Sequence, residues 1–207
     1  MTKSILWDFD GVILDSMKIK GDGFLKLFQE YDTQYLVQIE KFHYENGGVS
    51  RFDKIRHFYD NIIRCPISDD KINELAADFA HIIEDKLSDR SNLIKDSVDF
   101  IEKHHKKFDF HIVSGAEHNE LNALCAHFSL TQFFKSISGS PTKKDILVYN
   151  VIKNNNYRLE DITLVGDAIT DYNAAVINGI KFFGYNNPDL QGLAGYIHSF
   201  REVNFDC

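Results

Sequence analysis

The 207-residue sequence predicts a doubly wound α/β fold whose parallel sheet is interrupted near its start by an all-helical insertion. Three observations carry this. Short apolar runs, β-branched or aromatic, recur along the chain and read as buried parallel strands. Stretches of helical periodicity alternate with them. After the first run, helical patterning alone continues for roughly 75 residues, far too long for a simple crossover.

The first run, Ser4–Trp7, ends in Asp8 and Asp10, and Gly11 follows at once. In an extended chain, residues two apart point the same way. Two carboxylates projecting together repel and lose hydration, which calls for a cation. Residues 16–90 follow, with Ile62, Ile63, Ile72, Leu75, Phe79, Ile82, Ile83 and Leu87 at helical spacing. They are expected to form a cap of about four helices, set into a core made of residues 1–15 and 91–207. A helix from near Asn92 through Ile101 returns the chain to the sheet. The second run, Phe110–Val113, ends in Ser114-Gly115 ahead of a helical pattern, Glu117–Phe128. A further strand is expected over Phe133–Ile137, then a helix over Lys143–Lys153. The third run, Ile162–Val165, ends in Gly166-Asp167. A helix over Asp171–Asn178 and a last strand over Ile180–Phe183 complete the pattern.

Composition narrows the function. A hydrophobic fraction of 43%, with seventeen Phe, supports a sizeable core. The formal charge of -8 disfavours nucleic acid and anionic membranes as partners. No apolar run approaches the roughly 18 residues that span a bilayer. The segment Met1–Trp7 reaches Asp8 too early for a signal peptide. Cys65, Cys125 and Cys207 form neither a CxxC pattern nor an even set, so no disulfide framework or zinc site is indicated. A reduced, cytoplasmic setting is the expectation. His104-His105 closes a Lys-rich helical stretch and reads as a solvated terminus.

In open parallel sheets, ligands bind outside the carboxyl ends of the strands. Three strands here deliver polar ends to one edge. Asp8, Asp10, Asp167 and Asp171, without His or Cys, suit a hard cation. Mg²⁺ fits, because it combines a few carboxylates with water and a substrate phosphate. Asp171 also stands where a helix opens, so metal support and plain capping are both open readings. Ser114 and Gly115, with a hydroxyl and free N–H groups ahead of a helix, suit a phosphate oxygen. Thr142 and Asp145 resemble a capping box. Lys143 and Lys144 stand in the first turn, where lysines oppose the helix dipole unless an anion is near. Lys144 is assigned to the site and Lys143 to solvent.

With Asp8-Phe9-Asp10-Gly11-Val12, Ser114-Gly115, the lysine of Gly139–Lys144 and Gly166-Asp167 with Asp171 in this order, the chain resembles the haloacid dehalogenase superfamily of Mg²⁺-dependent phosphohydrolases. It is similar to the phosphoglycolate phosphatase and β-phosphoglucomutase branch, which carries an inserted helical cap. The resemblance spans essentially the whole chain, although Lys143-Lys144 departs from the common Lys-Pro pattern. It implies hydrolysis of a small-molecule phosphate monoester, a sugar phosphate or a phosphoglycolate-like ester, through an aspartyl-phosphate on Asp8. Asp10 would be the acid/base. Mg²⁺ would be held by the Asp8 side chain, the Asp10 backbone carbonyl and Asp167, with Asp171 supporting the metal or orienting Lys144. Ser114, Gly115 and Lys144 would bind the phosphoryl oxygens. The alternative is a phosphomutase. Asp10 argues against a true dehalogenase, which lacks that second acid.

Substrate reading is expected from the cap segment Glu45–Lys54. Gly47-Gly48 permits a tight loop and Ser50 can cap the next helix. Arg51 and Lys54 then either meet an anionic or hydroxyl-rich leaving group or are solvated surface charges. Gly21 and Gly23 are unusual inside the first cap helix, each weakening it by about 1 kcal/mol. They mark a flexible hinge or close packing.

Overall fold

A computed structural model describes residues 4–203 and 205. The N-terminal residues read above against a signal peptide lie partly outside this range, as does Cys207. Six strands, all parallel, form one sheet: β1 (Ser4–Trp7), β2 (Asp109–Glu117), β3 (Ser136–Ser140), β4 (Ile162–Gly166), β5 (Lys181–Tyr185) and β6 (Gly195–Ile197). Their order is β3-β2-β1-β4-β5-β6. The chain winds outward from β1 in both directions, so the crevice of the topological switch opens at its carboxyl end.

Strand alternation divides the core. Ile5 and Trp7 of β1 face one layer, and Leu6 faces the other. The first layer holds α5 (Lys95–His104) and α6 (His118–His127), with Phe100 and Phe200 packed on the Trp7 ring at 6.0 and 5.1 Å. The second holds α7 (Lys144–Asn155) and α8 (Ile169–Asn178) over Leu6, Val113 and Leu164.

The interval between β1 and α5 is helical, as expected. It contains α1 (Met17–Leu27), α2 (Thr33–Glu45), α3 (Arg51–His57), a π-helical turn (Phe58–Ile63) and α4 (Asp69–Leu87). Phe24 of α1 packs on Phe79 of α4 at 4.3 Å, and Phe28 stacks on Phe58 at 3.7 Å. Gly23 of α1 resolves as close packing: a Cβ there would stand 2.5 Å from Ile83 Cγ2.

Several boundaries differ from expectation. β2 runs through Ser114 and Gly115 to Glu117, with a register irregularity against β3 after Val113. β3 begins at Ser136, because Thr131–Phe133 forms a 3-10 turn instead. α5 starts at Lys95, after a 3-10 turn over Arg90–Asn92. The capping box of Thr142 and Asp145 does not form: the N-cap of α7 is Lys143, and no side chain caps it. β6 has no counterpart in the sequence reading. No helix among the described residues is long and apolar enough to cross a membrane.

Candidate active site

β1 passes directly into the site. Asp8 N donates to Val165 O at 2.9 Å, carrying the pairing with β4 one residue past the strand. Phe9 N donates to Asp8 Oδ1 at 2.7 Å and fixes that carboxylate. Gly11 then turns the chain at φ +74°, and a Cβ there would fall 1.9 Å from Asp167 Oδ2. Only glycine lets the turn and the second carboxylate share this space. The chain returns to start α1, and two residues of that segment take Asp10. Ser16 Oγ donates to Asp10 Oδ1 at 2.5 Å, and Lys20 Nζ donates to Oδ2 at 2.5 Å.

The other strand ends arrive beside Asp8. Lys144, the first residue of α7, places Nζ 3.0 Å from Asp8 Oδ1 and also donates to Asp171 Oδ1. Asp171, in the first turn of α8, accepts from Ala168 N at 3.0 Å through Oδ2. It therefore caps the helix and holds Lys144 at once. Carboxylate oxygens of Asp8, Asp167 and Asp171 lie within 4.8 Å of one another. Ser114 is fully buried, and Gly115 lines the cleft that also holds Asp8 and Asp10.

The electrostatics separate the two aspartates of the first motif. Burial, then the Asp171 charge, push Asp8 up to about 7, with Lys144 opposing them. Asp167 is raised well above the carboxylate range by burial and by Asp8 and Asp171. Burial also acts to raise Asp10, but Lys20 and the Ser16 hydrogen bond outweigh it, leaving Asp10 below its ordinary value. Burial would lower Lys144, yet Asp171 and Asp8 reverse this and hold it as an ammonium. A cluster of three oxygen donors that repel one another, with one lysine among them, fits a hard divalent cation. Asp10 spends both carboxylate oxygens on Ser16 and Lys20, and its side chain is not part of that cluster.

Both cap residues singled out in the sequence are buried, not solvated. Arg51 lines the cleft but pairs with Glu120 of α6, so its charge is already met within the protein. Lys54 lines the same cleft beside His43 of α2, with Nζ 3.0 Å from His43 Nδ1. Lys143 is exposed at the N-cap of α7. The cap loop closes on the site floor: a Cβ on Gly48 would meet Thr170 Oγ1 at 2.0 Å, and one on Gly115 would meet the Gly48 carbonyl at 2.4 Å. Sequence reasoning missed Lys20, His43 and Glu120. Lys20 had a signal, standing one helical turn after Ser16 at the start of α1. His43 and Glu120 had none, because their partners lie on other elements.

Comparison with known proteins assigns the family. The family model described as haloacid dehalogenase-like hydrolase matches residues 5–185, and the chain belongs to that family. Solved structures share the fold over nearly the full length. β-Phosphoglucomutase from Clostridium difficile aligns with a TM-score of 0.76 at 17% identity, covering 99% of this chain and 94% of that one. A predicted phosphoglycolate phosphatase from Haemophilus somnus gives 0.73 at 14% identity, covering 96% and 95%. The HAD-hydrolase YfnB from Bacillus subtilis, bound to magnesium, gives 0.69 at 19% identity, covering 97% and 96%. At these identities the likeness shows the fold alone. No curated protein matches the chain.

Proposed function

We propose that this protein is a Mg²⁺-dependent phosphatase that hydrolyses a small-molecule phosphate monoester through an aspartyl-phosphate, with residues 16–90 as its substrate-reading cap. The observation that carries the reading is the meeting of Asp8 with Lys144, Asp167 and Asp171 at one strand edge, with Asp10 beside it on the cap side. Asp8 is buried against Lys144 and the carboxylate cluster, whereas Asp10 is gripped by Ser16 and Lys20 on the cap side.

In this reading Asp8 attacks phosphorus in line through a carboxylate oxygen, and the bond to the leaving oxygen breaks. In its protonated form Asp10 gives a proton to that oxygen, and as the resulting carboxylate it takes one from the water that hydrolyses the acyl phosphate. The Lys144 ammonium and the Ser114 hydroxyl, with the N–H of Gly115, hold the phosphoryl oxygens. Asp171 keeps Lys144 aimed at Asp8. Mg²⁺, held by the Asp8 and Asp167 carboxylates and the Asp10 carbonyl, would offset the repulsion between nucleophile and phosphate.

The test is phosphate release from a panel of phosphomonoesters with Mg²⁺, run with wild type and Asp8→Asn in parallel. The expected result is turnover by wild type and a loss of about 10³-fold or more in the variant. A folded wild type that releases no phosphate from any ester overturns the reading. Rearranged sugar phosphate formed without net phosphate release would assign a phosphomutase instead.

A further inference from the structure

The cap side of the cleft carries one cation too many. Three basic side chains reach it: Lys20, Arg51 and Lys54. Lys20 is neutralised by Asp10 at 2.5 Å, and Arg51 by Glu120. Lys54 is 2% exposed, and among the described residues no carboxylate lies within ion-pairing distance of it. Its contacts are neutral: His43 Nδ1 at 3.0 Å, the Gly47 carbonyl at 3.4 Å and the Phe24 ring at 5.9 Å. His43 cannot supply a negative charge. Its Nε2 donates to the Met17 carbonyl at 2.9 Å, which leaves Nδ1 as the acceptor for Lys54.

A buried ammonium without an anion is costly, and a chain has no reason to keep one in a hollow that needs only shape. The cost is visible. Burial and the neighbouring Lys20 bring Lys54 down to about 7, although Asp10 and Asp167 pull the other way. Lys54 lines the cleft together with Asp8, Asp10 and Gly115, and it enters from the cap, the side on which Lys20 grips Asp10, whereas Lys144 reaches Asp8 from the core, so the vacancy in charge falls on the leaving-group side. The side chain is also held in place. His43 is packed against Phe24 at 5.5 Å and fixed to α1 through Met17, so Nζ stays in the cleft before any ligand arrives.

We infer that Lys54 selects esters whose leaving group carries an anionic substituent of its own, a carboxylate or a second phosphate, with His43 as its positioning residue. This rests on the phosphatase reading above and deepens it to a substrate class. A site built around a buried charge discriminates sharply against an analogue lacking the partner, because the charge is then left unpaired.

Three esters of nearly equal size test it: phosphoglycolate, the bisphosphate of ethylene glycol, and 2-hydroxyethyl phosphate, whose leaving group is neutral. kcat/KM is measured with Mg²⁺ for wild type, Lys54→Met and Lys54→Arg. Wild type should favour at least one of the anionic esters over the neutral one by tenfold or more, and which one distinguishes carboxylate from phosphate. The preference should collapse toward unity in Lys54→Met and survive in part in Lys54→Arg. Equal preference in wild type overturns the inference. So does an equal loss on all three esters in Lys54→Met, which would mean that Lys54 answers the transferred phosphoryl group. Binding of the same esters to Asp8→Asn, with and without Lys54→Met, is read by calorimetry. It reports the selectivity even where hydrolysis is absent: a missing turnover counts against the phosphatase reading, whereas equal Kd values for charged and neutral esters count against Lys54.

Discussion

Asp10 is held at both oxygens by residues of one helical segment, Ser16 and Lys20. A carboxylate pinned twice keeps the orientation that proton transfer needs. Replacing Lys20 by Met leaves only the Ser16 hydrogen bond. The expected result is a fall of about tenfold or more in kcat with little change in KM, measured at steady state. Asp167 stands in the opposite situation, repelled by Asp8 and Asp171. Asp167→Asn should raise the melting temperature of metal-free protein and abolish the rise that the proposed Mg²⁺ binding is expected to give in wild type, both read by thermal denaturation. Lys54 offers a third check through pH. The unfolded chain keeps its proton up to about 10.5, the folded chain only to about 7. Between those values the unfolded state binds more protons, so this group makes wild-type stability rise with pH. Lys54→Met removes that dependence. Its advantage in denaturant melts at pH 7 should shrink by a few kcal/mol by pH 10.

The elements show where sequence is a good guide. β1 and β4 are short, wholly buried runs with polar ends, and their limits were legible within a residue or two. The meeting of Asp8, Lys144, Asp167 and Asp171 was legible for the same reason, because each stands at or just beyond a strand end on one edge. Irregular backbone hid the rest. β2 carries its polar Ser114-Gly115 inside the strand, and the register change after Val113 is a tertiary matter. Phe133 looked like a strand residue, but it packs on the core from a 3-10 turn. β6 is three residues long and begins with glycine, too little for a period of two to show. The glycines of α1 were puzzling in sequence because their causes lie on other helices, Tyr44 and His43 of α2 for Gly21 and Ile83 and Phe79 of α4 for Gly23. Gly23→Ala should gain about 1 kcal/mol of helix propensity and lose more to overpacking against Ile83 and Phe79. A net destabilisation of about 1–2 kcal/mol, read from the denaturant midpoint, is expected.

At the scale of the molecule, one continuous apolar cluster runs from Trp7 and Phe110 in the sheet to Phe24, Phe58 and Phe79 among the inserted helices. The two parts are also joined by charge. Arg51 of α3 meets Glu120 of α6, with the Arg51 guanidinium lying 5.1 Å from the centre of the Phe79 ring. Removing one member of a buried pair strands the other. Glu120→Gln should cost about 2–3 kcal/mol in denaturant melts.

The contact between Gly48 and Gly115 has a consequence for size selection. Cap and core meet there through backbone, with no side chain between them to yield. In the proposed phosphatase the meeting would act as an end-stop, setting how low the cap can sit above Asp8. Ceiling height is then a property of main-chain geometry and survives changes to the residues lining the chamber. A single methyl group at position 115 works as a shim: Gly115→Ala should slow turnover of the smallest esters more than that of bulkier ones, a ranking that steady-state kinetics across leaving groups of graded thickness would read directly.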